Sequence, residues 1–117
     1  MADRYSTIAV AAWPGLTRVR LYDSTLQHIA EEHAEFQRQL PSLRLGLETA
    51  IANPISIFDS TTDPGGSVVI ESDAFTYFGD PVHIPIRMVA GTSGRVVTAY
   101  FDSSAYSGRL LWSDKND

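Results

Sequence analysis

The chain contains no cysteine, so disulfides and thiolate-held metals are both excluded. Lysine is nearly absent as well: eight of the nine basic residues are arginine, whose planar fork of donors suits bidentate phosphate contacts. Long apolar runs are missing. The stretch Ile8 to Trp13 falls well short of the roughly 18 residues that span a bilayer. It follows Asp3 rather than a clean basic stretch, which argues against a signal peptide. Positive charge is in deficit, with a formal net charge of −5. Such a chain gains no long-range attraction to nucleic acid, although a local basic strip can sit on an acidic body. There is no Gly-x-Ser-x-Gly element and no glycine-rich phosphate loop leading into a helix. Without cysteines or a membrane segment, the reading leans to the cytoplasm.

What is present reads as one domain. At 117 residues, 44% hydrophobic and 20% charged, the chain can bury a core without staples. The reading takes residues 1–117 as a single unit, with a core over about 18–103 and a polar tail over 103–117. Ser6 to Trp13 fits a strand ended by Pro14-Gly15, and Arg18 to Tyr22 alternates polar and apolar as a short strand does. Ser24 with Gln27 fits a capping box. Leu26, Ile29, Ala30, His33, Phe36 and Leu40 then recur at steps of three and four, predicting one helix from about Thr25 to Gln39. Pro41-Ser42 breaks the chain. A second helix follows over about Ser42 to Asn53, with Leu43, Leu47, Ala50 and Ile51 on one face. Beyond Pro54 the period changes to two. A short strand over Ile55 to Phe58 precedes four β segments: Ser67 to Ile70, Ala74 to Phe78, Val82 to Val89 and Arg95 to Phe101. The predicted class is α+β, with two N-terminal helices packed on one face of a four- to five-stranded antiparallel sheet.

Two of the three histidines, His28 and His33, fall within six residues of each other on the first helix. Histidine titrates near neutrality and is the usual proton-transfer group. His33 lies on the apolar stripe and points toward the sheet, whereas His28 lies about 140° away on the polar side. Their i, i+5 spacing is wrong for a metal pair on one helical face, so no metal and no cofactor is expected. Thr98 and Tyr100 alternate onto one face of the last strand, supplying a hydroxyl and a phenol. Arg87 and Arg95, on neighbouring strands, could form a phosphate-binding strip. Each assignment has a structural alternative: a satisfied core histidine for His33, a solvated one for His28, β-forming residues for Thr98 and Tyr100, and ordinary surface charge for the arginines.

The helix His28-Ile29-Ala30-Glu31-Glu32-His33, the step Ala50-Ile51-Ala52-Asn53-Pro54 and the strand Val96-Val97-Thr98-Ala99-Tyr100 come in the order seen in a known group. Over about residues 18–103 the chain resembles the phage-associated barnase/EndoU/colicin/RelE-like nucleases. It departs from them at Ala34, where relatives often carry proline, and in its acidic charge. The resemblance implies two helices followed by a four-stranded antiparallel sheet. It also implies metal-independent RNA cleavage, in which the ribose 2′-hydroxyl attacks the adjacent phosphate and leaves a 2′,3′-cyclic phosphate. His28, His33, Thr98 and Tyr100 are then the catalytic candidates, and Arg87 and Arg95 the substrate-binding ones. The partners would be RNA and a cognate antitoxin or immunity protein, with no membrane. The alternative is a non-enzymatic inhibitor or protein-binding module whose acidic surface mimics nucleic acid.

Overall fold

Alternation of apolar and polar residues starts the fold as a hairpin. The computed structural model describes residues 2–37 and 42–115. Strands β1 (Tyr5–Trp13) and β2 (Leu16–Tyr22) pair antiparallel across Pro14-Gly15, with Ile8 opposite Val19 on the buried face. Helix α1 (Asp23–Glu32) follows at once, then α2 (Ala34–Gln37) and α3 (Leu43–Ala52). The remaining strands are β3 (Ser56–Asp59), β4 (Ser67–Tyr77), β5 (Asp80–Ala90), β6 (Ser93–Val96), β7 (Tyr100–Phe101) and β8 (Leu110–Ser113).

The architecture overturns the predicted α+β class. The strands form one curled, half-barrel sheet in the order β1-β2-β6-β5-β4-β3-β8, with β7 pairing β5 off that path. The sheet is mixed, because β2 runs parallel to β6 while the other pairs are antiparallel. The protein is mostly β, and its helices are short. Two features account for the difference. The N-terminal hairpin joins the sheet through a parallel pairing that local sequence does not encode. Leu110-Leu111-Trp112, taken as part of a polar tail, makes the edge strand β8, with Trp112 opposite Ile57.

The first predicted helix is also divided. Helix α1 ends at Glu32, and His33 takes an extended conformation (φ −126°, ψ 98°). Its carbonyl then accepts from the Phe36 N–H at 3.0 Å, opening the short α2. The three-residue step from His33 to Phe36 kept the helical period intact in sequence while the backbone broke. The predicted helix end at Gln39, the stripe residue Leu40 and Pro41 lie outside the described residues. The second helix keeps its predicted face: Leu43, Leu47, Ala50 and Ile51 are buried. Gly46 lets α3 approach the sheet closely, since a Cβ there would lie 2.9 Å from the Phe75 ring.

The last predicted strand, Arg95 to Phe101, is interrupted at residues 97–99. Pro85 supplies the reason. The Val97 N–H donates to the Pro85 carbonyl at 2.9 Å, but Pro85 has no N–H to return. Conversely, the predicted segments Ser67 to Ile70 and Ala74 to Phe78 belong to the single strand β4, with a register irregularity between Ser72 and Thr76.

A two-residue turn, Phe78-Gly79, joins β4 to β5, with φ of 51° and 86°. Such turns favour Asn or Gly, because a side chain in the left-handed region costs about 1–2 kcal/mol. Phe78 is 86% exposed, so its ring recovers little by burial. Phe78→Asn is expected to raise stability by up to about 1 kcal/mol in urea unfolding. An equal or lower midpoint would mean that the ring contributes through its edge contact with Tyr77, 4.5 Å away between centroids.

Candidate functional site

The break after α1 places His33 at the end of the helix layer, with its side chain 30% exposed. Its Nε2 lies 3.5 Å from Thr98 Oγ1, a contact between residues 65 apart in sequence. Its Nδ1 lies 3.7 Å from Glu35 Oε1. The ring stands edge-on to Phe36 at 6.1 Å. Carboxylate, imidazole and hydroxyl thus follow one another, with spacings that a bound substrate can tighten. Beneath them lies an aromatic cluster in which Phe36 stacks on Phe101 at 4.6 Å and meets Phe75 at 6.0 Å.

The other two catalytic candidates are not part of this group. His28 is exposed and makes no hydrogen bond or ion pair among the described residues. Tyr100 points to the opposite face of the sheet from Phe101, because neighbouring strand residues alternate. There it stacks on His83, with centroids 5.3 Å apart and planes 13° from parallel. Tyr100 and Thr98 therefore do not share a face. Burial raises the Tyr100 phenol above its usual pKa, and nearby Tyr106 and Asp102 add to this. It is a poor proton donor near neutrality.

His83 is the third histidine and was not among the candidates. It is buried, and neither ring nitrogen has a hydrogen-bond partner among the described residues. Its Nε2 is 3.7 Å from Glu71 Oε2. Its strand face also carries Pro85 and the exposed Arg87. The C-terminal segment covers that face, with Tyr100 on His83 and Tyr106 on Phe58 at 5.7 Å. Burial pushes the His83 pKa below its ordinary value, while Glu71 and Asp102 oppose the shift. The folded state therefore prefers neutral His83, while the unfolded chain gains a proton near pH 6.5. Stability from this group is present above that pH and is lost as pH falls toward the folded pKa. Melting temperature should drop between pH 7.5 and 5.5, and His83→Gln should flatten that slope. An unchanged slope would show that another group controls it.

The predicted strip Arg87 and Arg95 lies directly paired across β5 and β6. Two arginines that the sequence reading passed over extend it. Arg20 is opposite Arg95 across the parallel β2–β6 pair, and Arg18 is opposite Ser93. These four line an open groove of about 750 Å³ with Thr7, Tyr22 and Ser93. None of the four forms an ion pair among the described residues. The alternation Arg18-x-Arg20-x-Tyr22 was visible in sequence, but its parallel partner was not.

Among the described residues, no group of three or more His, Asp or Glu is arranged to hold a metal ion. No helix among them is long and apolar enough to cross a membrane. No protein family, curated protein or solved structure matches this chain.

Proposed function

We propose that the chain is a toxin-like, metal-independent endoribonuclease of the kind its sequence resembles, with His33 as its proton-transfer group. The observation that carries the reading is the approach of His33 Nε2 to Thr98 Oγ1, at 3.5 Å between an N-terminal and a late segment. In this scheme the imidazole takes the proton of the ribose 2′-hydroxyl. The 2′-oxygen bonds to the adjacent phosphorus, the bond from phosphorus to the 5′-oxygen breaks, and the leaving oxygen takes a proton from water. Glu35, beside Nδ1, steadies the imidazolium that forms. The Thr98 hydroxyl donates to a phosphoryl oxygen as its charge grows. A partly exposed site suits a polymeric substrate. The proposed setting is the cytoplasm, with a cognate antitoxin or immunity protein as the second partner.

The test is incubation of the purified protein with total RNA in chelator. Fragments ending in 2′,3′-cyclic phosphate are expected, and intact RNA would overturn the reading. The net charge of −5 favours the second reading, a non-enzymatic inhibitor or adaptor. Expression separates the two, because a ribonuclease arrests growth and a binding module does not.

A further inference from the structure

We propose that the arginine face is a binding site separate from the His33 group, and that it takes the backbone of a single-stranded nucleic acid. The binding stands on its own geometry; that the bound strand is also the strand cut rests on the ribonuclease reading.

Thr7, Arg20, Arg95, Arg87 and Ser67 lie opposite one another on five successive strands. Adjacent strands are about 4.8 Å apart, so three guanidinium groups rise from neighbouring positions of one surface. Like charges directly opposite in a sheet are destabilising. Here no carboxylate among the described residues relieves them. The repulsion disappears when an anion with several charges enters the groove. A protein with 14 acidic residues and only nine basic ones has nevertheless left four arginines together, facing away from the core.

An aromatic pair flanks the arginines. Tyr5 pairs with Tyr22 across β1 and β2, with ring centroids 5.1 Å apart. Tyr5 is 48% exposed. The Arg20 guanidinium lies 4.5 Å over the Tyr5 ring and donates to the Tyr22 hydroxyl at 3.4 Å. Cationic groups beside an open aromatic face are how single strands are held without sequence readout. A duplex keeps its bases stacked inside and cannot use that face.

The groove is lined by no histidine, aspartate or glutamate. It can grip phosphate, but it has no group to exchange protons near neutrality. Arg95 precedes Thr98 by three residues, so their Cα atoms are at most about 11 Å apart. Their side chains nevertheless face opposite sides of the sheet, Arg95 with Arg87 and His83, Thr98 toward His33, so the groove binds apart from the His33 group.

The experiment uses the full chain and a fluorescent single-stranded DNA oligonucleotide, which has no 2′-hydroxyl and cannot be cleaved by this route. Anisotropy should show binding whose log affinity falls with log salt at a slope near −0.7 per phosphate engaged. Arg95→Gln should weaken binding about tenfold and make the slope shallower by about 0.7. It should leave melting temperature unchanged or higher, because the repulsive row is thinned. Tyr5→Ala should weaken binding roughly 5- to 100-fold without changing the slope. His33→Ala should bind as the wild type does. Equal competition by a duplex, by inorganic phosphate or by polyglutamate would overturn the proposal, as would wild-type affinity in both Arg95→Gln and Tyr5→Ala. Binding to uncleavable DNA is measured apart from cleavage, so either reading can fail without the other.

Discussion

His33→Ala is expected to lower RNA cleavage about 10²- to 10⁴-fold, the usual range for a general acid–base group. The fold should survive the change. The side chain is partly exposed, ends a helix rather than filling it, and touches Thr98 at the limit of hydrogen-bond distance. His28→Ala should cost less, since His28 is exposed on α1 and joins no group. The reverse ranking would move the cleft to the outer face of α1. Full activity in both variants would end the histidine mechanism. Complete loss in chelator would point to a metal enzyme instead.

Phe36→Ala should cost about 3–5 kcal/mol, a large share of the 5–15 kcal/mol that holds a domain together. Phe36 is fully buried, although it sits on a helix of only four residues. Its ring links the helix layer to the sheet through Phe101 and Phe75. Truncation leaves a cavity between layers, and α2 has little else to hold it down. Urea unfolding measures the loss, and an unchanged midpoint would show that the layer docks through other contacts. Phe36→Leu should cost less and retain more cleavage, because it keeps apolar volume beneath His33.

The helix faces were legible because burial follows periodicity: Ile29 and Phe36, like Leu43, Leu47 and Ile51, are buried as their spacing predicts. The break at His33 was not, because a bend that resumes at a three-residue step leaves the stripe unaltered. Pro85 was the readable warning that the last strand would not run unbroken, since a proline within a β ladder withholds a donor. The larger error concerned partners rather than elements. Arg18 to Tyr22 was recognised as a strand, yet nothing in its residues names a parallel neighbour near residue 94. That pairing decides both the class of the fold and the size of the arginine groove. His33 and Thr98 were placed together because His33 lay on the helix stripe that faces the sheet and Thr98 lay in the last strand. Tyr100 was placed with them only because the strand was taken to be continuous.

Strand β2 and its neighbour β6 are separated by most of the chain, for Arg20 meets Arg95. Joining them closes a long loop before any contact repays the lost entropy, and such pairings form slowly. During synthesis the hairpin β1–β2 leaves the ribosome well before β6 is made and waits for it. Arg18 and Arg20 are then present without Arg87 and Arg95, and His33 is present without Thr98. A growing chain therefore has neither the complete arginine face nor the His33–Thr98 contact until residues 87–98 have been made, and the two become possible within one short stretch of synthesis.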